Sequence, residues 1–145
     1  MNGRVQRRLA AGVVAVAVWM AGATGVWGEE SGIGGSGLPG VRHVDVDGAE
    51  RLLREERGVV VLDVRTPREF SEGRIAGSTN LDFNHRGFAR ELAKLDREKT
   101  YLVTCAVGGR SGKALPLLSK LGFKSVVHLD GGVKAWEAAG KPVGK

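Results

Sequence analysis

This 145-residue chain contains one cysteine, Cys105, so no disulfide can form within it. It has no stripe of lysines and arginines. Its basic residues are interspersed with Asp and Glu, which argues against a nucleic acid partner. No internal repeat is visible. The three histidines, His43, His85 and His128, follow no metal-ligand spacing, so no metal is expected. The apolar run from Leu9 to Ala23 is short for a bilayer span, which needs about 20 residues.

What that run does fit is a leader. Arg4, Arg7 and Arg8 form a basic start, the apolar stretch follows, and small residues reach Gly28. This is the layout of a secretory signal peptide over residues 1–28, with cleavage after Ala23 or after Gly28. The expectation is an exported protein, periplasmic or secreted, that meets a membrane only if the leader stays attached. No cysteine lies near the cleavage region to carry a lipid. Losing the leader removes three arginines and no acid, taking the net charge from +6 to +3. Residues 29–40, which include Ser31-Gly-Ile-Gly-Gly-Ser-Gly37, read as a flexible Gly/Ser linker. The folded unit is expected over residues 41–143, a size usual for one domain. A lone thiol in an exported protein is either buried or there to react.

Three short apolar runs lack alternation: Val59 to Val64, Thr100 to Thr104 and Ser125 to Leu129. Such runs suit strands covered on both faces, as in parallel sheets. Between them lie helical patterns at Ala49/Leu52/Leu53, at Phe88/Leu92/Leu95, at Ala114/Leu117/Leu118/Leu121 and at Val133/Trp136/Ala139. Asp47 suits the N-cap of the first, and Gly122 suits a left-handed end to the third. Strands alternating with helices predict an α/β domain of three layers, an open and mainly parallel sheet with helices on both faces. Pro116 fits poorly, because inside a helix it removes a backbone hydrogen bond. Either that helix starts late, with Pro116 in its first turn, or it is kinked.

Cys105 ends one of the apolar strands, where open parallel sheets bind ligands. In the following Ala106-Val107-Gly108-Gly109-Arg110, both glycines allow positive φ, so several backbone amides can turn inward. Amides converging at a helix N-terminus bind anions and lower the pKa of a cysteine at their rim. Arg110 adds a planar fork of donors for an oxyanion. The plain alternative is an inert, buried cysteine followed by an ordinary Gly-Gly turn. Spacing alone leaves both open.

The chain also resembles the rhodanese-like domains over about residues 41–143. Cys105-Ala-Val-Gly108-Gly-Arg110 is similar to that family's Cys-x-x-Gly-x-Arg loop. Leu62-Asp63-Val64-Arg65 with Glu69-Phe70, Gly73-Arg-Ile75-Ala-Gly77-Ser-Thr-Asn80, and Gly131-Gly132-Val-Lys-Ala-Trp136 resemble three further family motifs in the expected order. Arg74 and Ala76 stand where the family usually has His and Pro. The resemblance implies a thiosulfate sulfurtransferase that needs no metal or organic cofactor. A sulfane sulfur would pass from thiosulfate or a similar anionic donor, through a persulfide on Cys105, to a thiol or cyanide acceptor. The amides of Ala106, Val107, Gly108 and Gly109 with Arg110 would bind the substrate, and a monomer is expected. Rhodanese-like modules that only bind partners or carry sulfur are the alternative, though many of those lack the cysteine. The family's phosphatase relatives have a loop one residue longer than Ala106–Gly109, which disfavours phosphate or arsenate chemistry here.

Asp63 and Arg65 are read as a supporting ion pair under the loop, and Ser111 as the start of the next helix. Glu69 is read as a helix-terminus or network residue, and Phe83, His85 and Arg86 as possible pocket wall. Trp136 is read as core, and Asp130 with Gly131-Gly132 as a structural turn.

Overall fold

The computed structural model describes residues 37–145. The expected leader and most of the expected linker lie outside the described residues. In chain order the elements are β1 (Val41–Val44), α1 (Val46–Glu55), β2 (Val60–Asp63), α2 (Pro67–Glu72), β3 (Arg74–Ile75), β4 (Thr79–Asn80) and α3 (Phe88–Ala93). They continue with β5 (Thr100–Thr104), α4 (Gly109–Lys120), β6 (Ser125–Leu129), α5 (Gly132–Ala138) and β7 (Val143–Gly144). Among the described residues no helix is long and apolar enough to cross a membrane.

The three apolar runs form the centre of a five-stranded sheet ordered β1-β6-β5-β2-β4, in which every pairing is parallel. Side chains on successive strand residues point to opposite faces, so β5 feeds two cores. Tyr101, Val103 and Cys105 pack with Phe88, Leu92, Ala114, Leu115 and Leu118, beneath α3 and α4. Leu102 packs with Ala49, Leu52, Val133 and Trp136, beneath α1 and α5. This is the expected three-layer arrangement. A second, antiparallel pair joins β3 to β7 and closes the chain's end onto the domain.

Local details depart from the sequence reading in four places. Asp45, not Asp47, caps α1: its carboxylate accepts from the Gly48 amide at 2.8 Å, and Asp47 falls in the first turn. The helix after Cys105 starts at once at Gly109, which places Pro116 in its interior and excludes the late start. Gly108 alone adopts positive φ (105°) in the cysteine loop, because Gly109 is already helical. Leu38 packs against the core, and the Ser119 hydroxyl donates to the Pro39 carbonyl at 3.1 Å. The end of the linker therefore lies on the domain.

The end of α4 follows the expected rule. Gly122 is left-handed (φ 81°), its amide donates to Ser119 O, and the Phe123 amide reaches Leu118 O at 3.2 Å. That pairing is a Schellman stop, sealed by the buried Phe123 ring. The turn at Arg74-Ile75-Ala76-Gly77 also closes despite its unusual residues. The Ser78 amide donates to Ile75 O, and the Arg74 guanidinium lies 4.5 Å over the Phe70 ring.

Candidate active site

The parallel sheet delivers Cys105 to the carboxyl edge of β5, and α4 begins four residues later. The left-handed Gly108 folds the chain back over the sulfur. Its amide donates to Cys105 Sγ at 3.1 Å, and the buried Ser111 hydroxyl lies 3.3 Å from the same atom. The residue itself is 1% exposed. Burial pushes the thiol pKa up, but hydrogen bonds from the Ser111 hydroxyl and the amides of Ser111, Gly108 and Val107 outweigh it. The net direction is down, toward thiolate. Fixed donors of the loop and of the start of α4 thus face the only cysteine sulfur among the described residues and favour its anionic form. Around it, Ala106 is half-buried while Val107 and Gly109 are exposed at the loop's outer side.

The loop is held from behind by the start of α5. The Val133 amide donates to Cys105 O at 2.8 Å, and the Lys134 amide to Ala106 O at 3.0 Å. Gly132 is left-handed (φ 65°), and a Cβ there would overlap Cys105 O and come within 2.6 Å of the Ala106 carbonyl. Only glycine lets the two segments approach this closely.

Arg110 and Glu69 are 41 positions apart in sequence and form a two-bond pair. The guanidinium donates from Nη1 to Glu69 Oε2 at 2.7 Å and from Nη2 to Oε1 at 2.6 Å. The fork expected to face an oxyanion is therefore turned onto a carboxylate. Glu69 also closes the capping box of α2, accepting from the Thr66 amide and hydroxyl. Chiefly through Arg110, its pKa falls to about 2. The sequence reading placed Glu69 at a helix terminus or in a network, and it serves in both. It did not find α2, whose six residues are too few for a periodic pattern.

Asp63, the last residue of β2, and Arg65 are bound to each other. Arg65 Nη2 donates to Asp63 Oδ2 at 2.7 Å and to Gly73 O at 2.7 Å, and both residues are buried. Asn80 ties this pair to β4 by donating to the Asp63 and Arg65 carbonyls. Trp136 is core, and His85 and Arg86 are exposed.

A network that the sequence reading missed runs outward from Ser111. Its hydroxyl lies 2.7 Å from the buried His128 Nε2, and His128 Nδ1 lies 2.8 Å from Asp130 Oδ1. His43 Nδ1 reaches the same Asp130 oxygen at 2.8 Å. Burial lowers the pKa of His128 against the pull of Asp130, which favours the neutral ring. The signal was present in the sequence only as two apolar strands that each carry a histidine.

Set beside known proteins, residues 45–139 match the model of the rhodanese-like domain. The chain belongs to the rhodanese-like family. A thiosulfate sulfurtransferase GlpE of Pseudomonas putida is 38% identical over 86 residues, covering 59% of this chain and 76% of the relative. A protein called sulfurtransferase from Allochromatium vinosum is 26% identical over 103 residues, 71% of this chain and 94% of that one. Among solved structures, a rhodanese-related protein of Thermoplasma volcanium superposes with a TM-score of 0.63 at 33% identity, covering 70% of this chain and 96% of the other. Those rhodanese-like neighbours share the α/β fold described above.

Proposed function

We propose that this rhodanese-like protein is a sulfurtransferase that carries sulfane sulfur as a persulfide on Cys105. The observation that carries this reading is the pair of donors on Cys105 Sγ: the Gly108 amide at 3.1 Å and the Ser111 hydroxyl at 3.3 Å, at the start of α4. The sulfurtransferase relatives support the same activity class.

The Cys105 thiolate attacks the outer sulfur of thiosulfate or a similar anionic donor. A new S–S bond forms, the donor's own S–S bond breaks, and sulfite leaves with the electron pair. The loop amides then hold the negative terminal sulfur of the persulfide, as an oxyanion hole holds oxygen. A thiolate or cyanide attacks that outer sulfur, and Cys105 departs as thiolate, completing a double displacement. Arg110 contributes positive charge at the loop, part-neutralised by Glu69, so the amides carry more of the anion binding than a free guanidinium fork would require. The apolar leader pattern at residues 1–28 supports action outside the cytoplasm.

Incubating the purified protein with thiosulfate and measuring its intact mass tests the reading. One sulfur atom is gained by the parent and none by Cys105→Ala. No gain on the parent with any of a panel of anionic sulfur donors refutes it.

A further inference from the structure

Strands β1 and β6 run parallel with His43 and His128 as register partners, so both imidazoles leave the same side of the sheet edge. Their rings meet edge to face, 4.8 Å between centroids. The Asp130 amide donates to Val44 O at 2.9 Å, which anchors the residue after β6 beside them. As a result three ligand-type atoms converge. His43 Nδ1 and His128 Nδ1 are 3.2 Å apart, and each is 2.8 Å from Asp130 Oδ1.

The protons of this network can be arranged in two ways. With Ser111 donating to His128 Nε2, His128 donates Nδ1–H to Asp130 and no ion is called for; with Ser111 donating to Cys105 Sγ, the arrangement that serves a thiolate, the triangle is left short of a proton. The Ser111 hydroxyl has a single proton. When it donates to the Cys105 sulfur, His128 must donate its Nε2–H to Ser111 Oγ. A neutral His128 then has a bare Nδ1 lone pair facing the Asp130 carboxylate and His43. One proton on His43 Nδ1 can serve Asp130 or His128, but it still leaves acceptor facing acceptor. A divalent cation satisfies all three at once. Atoms at roughly 2.0–2.1 Å from one ion, at angles near 90–110°, lie roughly 2.8–3.4 Å apart, so the 3.2 Å separation falls within that range and the two of 2.8 Å stand at its short end. The surroundings agree too. A metal-bound histidine usually donates its other ring N–H to a partner that fixes its orientation, and Ser111 stands at that position. Asp130 and His43 keep the site open to solvent, at 55% and 24% side-chain exposure.

We propose that His43 Nδ1, His128 Nδ1 and Asp130 Oδ1 form a binding site for a first-row divalent metal ion of the zinc class, on the side of Ser111 away from Cys105. Two imidazoles and one carboxylate suit such ions better than Ca²⁺ or Mg²⁺, which prefer all-oxygen shells. With the ion on Nδ1, His128 is fixed as the donor to Ser111, whose proton is then directed at the Cys105 sulfur. The site is thereby coupled to the thiolate through two hydrogen bonds.

The test uses tag-free protein stripped with chelator and carrying Cys105→Ser, which removes the only thiol as a competing ligand. Titration with Zn²⁺, followed by calorimetry, is expected to show one ion bound per chain. His43→Ala and Asp130→Ala each weaken binding at least about tenfold, whereas His85→Ala binds as the parent does. In case a variant is misfolded, ¹⁵N imidazole spectra of the unaltered site give a second reading: Zn²⁺ shifts Nδ1 of His43 and His128 and leaves His85 unmoved. Absence of binding in the Cys105→Ser protein, equal binding by His43→Ala, or unshifted His43 and His128 nitrogens overturns the proposal.

Discussion

Arg110 grips Glu69 with both of its terminal nitrogens, at 2.7 and 2.6 Å, and so joins the start of α4 to α2 across the mouth of the cysteine loop. The pair is half-buried, and Glu69 titrates near 2 in the fold against 4.5 for a free side chain. A depressed carboxylate stabilises the fold fully above the free value, and that contribution is lost as pH falls toward 2. Glu69→Gln is expected to cost about 1 kcal/mol at pH 7, given solvent screening, and to flatten the loss of stability between pH 4.5 and 2. Urea midpoints across that range check this, and parallel curves for both proteins would contradict it.

Ser111 is expected to govern the Cys105 thiol. Its hydroxyl stabilises the thiolate, so removing it moves the pKa up. Hydrogen bonds to charged groups are worth roughly 1.5–3 kcal/mol, so Ser111→Ala should raise the titration midpoint by about one to two pH units. Thiolate absorbance against pH reads this cleanly because the chain has one cysteine, with Cys105→Ala as blank. In the parent, the hydrogen bonds to the sulfur outweigh burial and hold the thiol pKa below its ordinary value. An unmoved midpoint in Ser111→Ala would show that the amides alone set the thiol.

Gly132→Ala should damage the site without touching the sulfur. The added methyl group overlaps Cys105 O and meets the Ala106 carbonyl, and the backbone is left-handed there. The expected cost is about 1–3 kcal/mol, together with slower persulfide formation as the loop is displaced. Thermal melting and the mass assay report the two effects. A variant as stable and as active as the parent would show that α5 does not brace the loop.

Pro116→Ala should act in the opposite direction. The residue is exposed, lies inside α4 and leaves the carbonyl one turn back without its helical donor. Alanine in a helix interior is favoured over proline by about 3 kcal/mol, so the melting temperature should rise. A fall would mean that the proline contributes a contact which the helix depends on.

Much of this arrangement is written locally in the chain. The β-branched run before Cys105 makes a buried strand, Gly108 permits the left-handed bend, and Gly122 stops α4. Each depends on neighbours a few positions away, whose steric and hydrophobic preferences act in any context. The two-residue strands β3, β4 and β7 left no pattern, because so few residues show no period and their partners are remote. The spacing pointed to Asp47 as the cap of α1, and the cap is Asp45, because an acidic residue two positions earlier precedes the same apolar stripe equally well. The closure of the Arg110 fork on Glu69, and the meeting of His43 with His128 across 85 positions, arise only when the elements pack. Both are consequences of parallel strands, whose crossovers bring together residues that share no local signal. Local residue preferences set the thiol at a strand end and let amides turn toward it. The packing of β1 on β6 and of α2 on α4 decided which charges and imidazoles surround it, because those contacts exist only once the sheet has set its register.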